Sequence, residues 1–234
     1  LEKTKIAGVF AHPDDETFVG ASIFYEAAVR GKEVVLFVAT RGEAGKSGRL
    51  GAMTREQLAE RRKLELRAAL DIIKINTFHQ LTYPDGKLSQ VDREQLIQDV
   101  ATFINEQHAQ VIVTFPEDGI SGHPDHTAIH HAVREAVVSE KCPEVQKLYY
   151  AASRPLLHAG HSPSIVFDSN VHREIKVQAL LAHESQILSI ERVFGDLHHP
   201  QTKIRPESFV LAWQRGIYWP DKKEGFFTDD LACV

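Results

Sequence analysis

The chain has 234 residues, 43% of them apolar and 25% charged, with a formal net charge of −5. Its basic residues are scattered, which argues against a nucleic-acid partner, since phosphate binding needs a clustered basic surface. No apolar run reaches the about 18 residues of a membrane span, so no membrane partner is expected.

Ile6-Ala7-Gly8-Val9-Phe10-Ala11 reads as a buried strand near 5–11, followed by a helix near 17–30. A strand near 33–39 runs into a Gly- and charge-rich loop over 41–51. Thr54, with Gln57 three residues on, approaches a capping box and starts a helix over 54–73. A strand near 75–79 leads to the turn Pro84-Asp85-Gly86. Asp92 is an N-cap for a helix near 92–107. Val111-Ile112-Val113-Thr114-Phe115 lies in a strand near 110–115, ahead of a helix near 125–139. Strands near 146–151 and 164–168 and a helix near 170–189 follow, and Ser208–Trp213 reads as a late strand. This alternation predicts an α/β fold: a single Rossmann-like domain over 1–234, with a mostly parallel sheet and helices on both faces.

The only two cysteines, Cys142 and Cys233, form no CxxC pair, so neither a disulfide framework nor a thiolate zinc site is indicated. No basic start with an apolar h-region is visible, and a cytoplasmic protein with reduced thiols is expected. The chain begins Leu1-Glu2 rather than with Met, which leaves its native start open.

Two clusters carry the chemistry. His12-Pro13-Asp14-Asp15-Glu16 follows the first strand, and His123-Pro124-Asp125-His126 follows the fourth. In open parallel sheets that edge is where ligands bind. His12 and Asp15 are three apart, a spacing that aims both at one point on a turn entering a helix, and imidazole and carboxylate are ordinary zinc ligands. Asp14 points elsewhere and stays free to take a proton from a metal-bound water. The bland alternative is that the three carboxylates only favour a helix N-terminus. In the second cluster, one of His123 and His126 completes a ligand triad. The other remains free to meet a substrate oxygen, with the Asp125 charge favouring its imidazolium form.

These motifs resemble the LmbE/PIG-L family of N-acetylglucosaminyl deacetylases. The resemblance extends through Thr40-Arg41-Gly42-Glu43, Arg62 with Glu65, Tyr83-Pro84-Asp85-Gly86 and Ala182-His183-Glu184-Ser185-Gln186, and thins after about 190. It implies Zn2+, or another divalent metal, on His12, Asp15 and His126. It makes Asp14 the general base and His123 the oxyanion donor or acid, held by Asp125. Arg62 and Asp85 match positions that contact the sugar or its aglycone. The implied substrate is a small N-acetylated glucosaminide, with a thiol-cofactor precursor such as N-acetylglucosaminyl malate as the first expectation. Homo-oligomers are common in the family. Ser121 stands where some relatives carry a tyrosine that polarises the amide, and Lys74 where many have a glycine after the helix.

Rival readings fit parts of the sequence. Other amide hydrolases of the family, a thiol-conjugate amidase or a chitooligosaccharide deacetylase, share the motifs. Thr40–Ser47 nearly matches a P-loop, but its first glycine is missing and Glu43 would sit in the phosphate cradle. His126 and His130 have zincin-like spacing without the glutamate, so His130 reads as a packing residue; His131, His198 and His199 read as solvated. His183 reads equally as a pocket, core or surface residue. A non-catalytic metal-binding or nucleotide-binding module would leave the unligated Asp14 without purpose.

Overall fold

The structure, a computed structural model, describes residues 4–199 and 202–231. In chain order these form β1 (Lys5–Phe10), α1 (Asp15–Val29), β2 (Glu33–Thr40), α2 (Arg55–Ile73), β3 (Thr77–Tyr83), α3 (Arg93–Glu106), β4 (Val111–Thr114) and α4 (Gly119–Gly122). They continue with α5 (Pro124–Val138), β5 (Lys147–Ala151), α6 (Arg154–His158), β6 (Ile165–Phe167), α7 (Arg173–Ala182), α8 (Ile187–Phe194), β7 (Glu207–Gln214) and β8 (Ile217–Tyr218).

One sheet runs in the order β3-β2-β1-β4-β5-β7-β6, with β8 on β7. The five strands from β3 to β5 are parallel, while β7 is antiparallel to β5, β6 and β8. The central strands are near-continuous apolar runs, as burial on both faces requires, and Val35–Ala39 are fully inaccessible. Helices α1, α2 and α7 pack on one another, and α3 packs on α5. The chain leaves β1 for β2 on one side and returns to β4 on the other, so a crevice opens outside the carboxyl ends of β1 and β4.

Local signals account for most boundaries. The capping box is complete: Gln57 N donates to Thr54 Oγ1 at 3.2 Å, and Thr54 N to Gln57 Oε1 at 2.9 Å. Asp92 accepts from Glu94 N and Gln95 N at the start of α3. Lys74 ends α2 in the left-handed region at φ 61°, where glycine is favoured.

The helix expected over 170–189 is broken, and side chains break it. His183 turns inward onto Glu16 at 2.8 Å, and Ser185 gives both its N–H and its hydroxyl to Glu65. The chain turns through Glu184–Gln186 before α8 begins. The third strand runs later than 75–79, because its pairing with β2 continues to Tyr83 opposite Thr40. The short α4, α6 and β8 lack a sequence period. Cys142 is a buried free thiol, and Cys233 lies outside the described residues. Among the described residues no helix is long and apolar enough to cross a membrane.

Candidate active site

Both clusters sit at the crevice. After β1 the chain turns through His12-Pro13-Asp14 into α1, with Asp14 as N-cap at φ 115°. A non-glycine residue there is strained, and such strain persists only where surroundings enforce it. Asp14 N donates to Glu16 Oε2 at 3.0 Å, while Glu16 Oε1 lies 2.8 Å from His183 Nε2. Burial would lower the His183 pKa, but Glu16 outweighs it and raises it. His183 therefore stands behind Asp14, in the core.

Three donor atoms converge. His12 Nδ1 is 3.2 Å from His126 Nε2 and 3.4 Å from one Asp15 oxygen, and His126 Nε2 is 3.3 Å from the other. Tetrahedral ligands at the roughly 2.0–2.2 Å of zinc–N/O bonds lie about 3.3–3.6 Å apart, so this set has the spacing a zinc ion needs. Each of these donors is also oriented from behind. Asp15 Oδ2 accepts from His12 N at 2.7 Å, and His126 Nδ1 contacts Gly119 O at 3.0 Å. His12 Nε2 faces Asp85 Oδ1 at 3.1 Å and Asp125 Oδ2 at 3.2 Å. Such outer carboxylates fix the tautomer of a metal-binding histidine.

Two other groupings have donor atoms within 4.8 Å: His12 with His123 and His126, and His12 with Asp85 and Asp125. The second uses the His12 nitrogen already engaged by both carboxylates, and Asp125 is further committed to Gly86 N at 2.7 Å and Leu88 N at 2.9 Å. In the first, His123 Nδ1 already accepts from Asp125 N at 3.2 Å. The Asp15 set leaves these bonds intact.

Carboxylates dominate the charges at the donor set. Burial opposes charge on His12, but Asp125, Asp15 and Asp85 outweigh it and hold its pKa well above the usual value. Burial would raise Asp15, yet His126 and His12 bring it far below the carboxylate range. Asp14 differs: burial pushes it up to about 6, against the pull of Arg62.

The carboxylate of Asp125 does not serve His123 as expected. It is fully buried against His12 and the Gly86 and Leu88 amides, which hold its pKa low despite burial. His123 meets Asp125 only through the backbone N–H, as the side-chain cap of α5. Burial, with the charges of His12 and His126, lowers the His123 pKa. Because Nδ1 accepts from an amide, a neutral His123 carries its proton on Nε2. Its surroundings thus disfavour the imidazolium form.

Arg62 and Asp85 are both buried and both line the cavity. Arg62 holds Asp14 Oδ1 at 3.2 Å, Gly42 O at 3.0 Å and Pro13 O. Gly42, at φ 70°, leaves the space a Cβ would take to that guanidinium. Asp85 accepts from Ala44 N at 2.8 Å, and its own N–H donates to Glu43 Oε1 at 3.0 Å. The near P-loop is thus a rim loop tied to the site, and no helix follows it until Arg55. His130 is buried, with Nδ1 on Phe115 O at 3.0 Å, as a packing residue should be. Ser121 is exposed and lines the cavity.

That cavity measures about 550 Å³ and takes in His12, Asp14, Asp15, His123 and His126. It falls within the roughly 300–1,000 Å³ of small-molecule sites. Its other walls, from α1, α8 and the segment before β7, carried no signal in the sequence. One of them is recognisable in retrospect. Gly20 breaks α1 at φ −154°, ψ 25°; Glu207 accepts from the freed Ser22 and Ile23 amides, and Lys176 donates to the freed Thr17 and Phe18 carbonyls and to Glu207.

Residues 8–137 match the family model described as PIG-L, GlcNAc-PI de-N-acetylase. The 1D-myo-inositol 2-acetamido-2-deoxy-alpha-D-glucopyranoside deacetylase of Kineococcus radiotolerans is 32% identical over 57% of this chain and 45% of its own length. The probable N-acetyl-alpha-D-glucosaminyl L-malate deacetylase 2 of Bacillus subtilis is 29% identical over 93% of this chain and 97% of its own. Thus the chain spans under half of the first relative and nearly all of the second. Among solved structures, the N,N'-diacetylchitobiose deacetylase of Pyrococcus horikoshii superposes with a TM-score of 0.70 at 15% identity, over 90% of this chain and 84% of that one. A 4-carboxy-2-hydroxymuconate hydratase from Pseudomonas putida superposes with a TM-score of 0.67 at 17% identity, over 91% and 97%, so the fold alone does not decide the reaction. The family match covers more than half of the chain and every residue of both clusters, and the chain belongs to the PIG-L family.

Proposed function

We propose that the chain is a zinc-dependent, cytoplasmic N-deacetylase that releases acetate from an N-acetylglucosaminyl small molecule, working as one domain. The observation that carries this reading is the convergence of His12 Nδ1, His126 Nε2 and Asp15 within 3.2–3.4 Å beside a cavity that Asp14 and His123 also line. The names of the relatives, deacetylases of GlcNAc conjugates, support the substrate class.

His12, Asp15 and His126 would hold the zinc ion. Bound there, it would supply a Lewis acid for the acetamide carbonyl and lower the pKa of a water toward 7. Asp14 accepts the proton of the attacking water, its carboxylate aimed by Arg62 and its backbone by Glu16. His123 Nε2–H donates to the developing oxyanion, a contribution worth roughly 10²–10³ in rate at comparable sites. The proton held by Asp14 then reaches the departing nitrogen, and the amine leaves. Asp85 and Asp125 keep His12 in the tautomer that presents Nδ1.

A panel of N-acetylglucosaminides, assayed for acetate with zinc-reconstituted protein, tests this reading. Acetate release that is abolished by chelation and restored by zinc is expected. Failure of every glucosaminide to release acetate, with the metal bound, would overturn it.

A further inference from the structure

The cavity has a second charged end. Arg192 on α8 and Arg205, two residues before β7, both line it. Both are exposed, and among the described residues neither has a carboxylate partner. Their neighbours are already matched. Arg49 takes Glu191 in a two-pronged contact at 2.7 and 2.8 Å, and Lys176 takes Glu207 at 2.8 Å. What remains at this end is two uncompensated guanidinium groups.

The sheet sets the place of Arg205, and α8 adjoins that segment through the buried cluster of Ile190 and Ile204. β7 runs antiparallel to β5, so its first residues lie at the edge where β1 and β4 end. From β1 to β7 are three strand spacings of about 4.8 Å, or roughly 14 Å. That span leaves room for one sugar ring and a short substituent. The carboxylates of Asp14, Asp15 and Asp85 gather near His12, whereas the arginine end offers cations that attract anions. Arginine presents a planar fork that pairs bidentately with carboxylate or phosphate. Phe18, Val193 and Phe194 give the same cavity an apolar wall, with the Phe18 and Phe194 rings 5.3 Å apart.

We infer that Arg192 and Arg205 form an oxyanion-binding subsite that selects glucosaminides with an anionic aglycone. The inference rests on the deacetylase reading for the position of the sugar. It separates two kinds of conjugate that the shared motifs treat alike, those with neutral and those with acidic aglycones.

The test compares three probes with zinc-reconstituted protein: the N-acetylglucosaminide of L-malate, N-acetylglucosamine 1-phosphate, and neutral methyl N-acetylglucosaminide. The proteins are wild type, Arg192→Gln, Arg205→Gln and the double variant. Acetate release gives kcat and KM, and calorimetry with zinc-loaded Asp14→Asn, alone and combined with each arginine change, gives binding free of turnover. The anionic probes should bind more tightly than the methyl glycoside. Each single arginine change should raise their KM about tenfold with kcat held, because the contact is the same in ground and transition states. The methyl glycoside should be unaffected, and high salt should erode the preference. Preference for malate over phosphate, or the reverse, identifies the anion. Equal binding of all three probes by the wild-type arginine end, or equal losses for the neutral and anionic probes in the variants, would overturn the inference. Selective anion binding with no acetate from any probe would instead overturn the deacetylase reading and leave this subsite standing.

Discussion

Asp125→Asn separates two roles for one carboxylate. It removes a charge while nearly preserving shape. Asp125 Oδ2 faces His12 Nε2 at 3.2 Å and accepts from Gly86 N at 2.7 Å, and Oδ1 accepts from Leu88 N at 2.9 Å. All three neighbours are donors, so whichever way the asparagine amide is turned, its NH2 meets a donor. At least one buried donor is left unpaired, at a cost of about 1–3 kcal/mol. His12 also loses one of the carboxylates that hold it, and loss of such an outer partner weakens metal binding by about 10–100-fold. Zinc competition against a chromophoric chelator reads that affinity directly, and turnover at saturating zinc reads what remains. The expected result is weakened zinc binding with activity largely restored by excess metal. Unchanged zinc affinity, with a shifted alkaline limb of the pH–rate profile, would refute this and return Asp125 to His123.

Four further outcomes follow from the same contacts. Asp14→Asn should keep zinc, by metal analysis, and lose about 10²–10⁴-fold in kcat. In metal-free protein the same change should alter the pH dependence of stability. A folded carboxyl raised to about 6 makes stability fall as pH rises from its unfolded value near 4, so the variant's advantage should grow across that window and then level off in urea titrations. Lys74→Gly should stabilise the fold by about 1 kcal/mol, measured by thermal melts, because the position is left-handed at φ 61°; no gain would mean that the contact of Lys74 with the Tyr25 ring, at 4.8 Å, offsets the strain. Glu207→Gln should cost about 3–5 kcal/mol, since it leaves Lys176 buried without its counter-charge beside the break in α1; an unchanged urea midpoint would show the break to be held otherwise.

The elements legible in the sequence were those with a period or a cap. β1, β2, β4 and β5 are apolar runs, and Thr54 and Asp92 mark helix starts by side chains that do cap them. What escaped was set by distant partners. The break between α7 and α8 depends on Glu16 and Glu65, which lie more than a hundred residues away in the chain. The convergence of His12, Asp15 and His126 was foreseeable because both clusters follow strands that end at one edge, and β1 pairs with β4. The partner of Asp125 was not. Sequence adjacency to His123 suggested one contact, but a helical start turns successive side chains about 100° apart, and the turn at Gly86–Leu88 captured the carboxylate instead.

The support of Asp14 shows why the site needs so much of the chain. Its backbone is strained at φ 115°, its carboxyl is pushed up to about 6, and neither condition is favourable in isolation. Arg62 restrains the side chain from α2, and Glu16 restrains the N–H from the first turn of α1. Glu16 is in turn held by His183, at the very point where α7 ends, and Arg62 reaches Asp14 only because Gly42 leaves it room. Three segments remote in sequence, at Gly42, Arg62 and His183, therefore converge with the adjacent Glu16 on one carboxylate. A carboxyl pushed up to about 6 and aimed by Arg62 suits the proton-accepting role proposed for it. The segments around Gly42, Arg62 and His183, far apart in the chain, meet at this one carboxylate and its helix start.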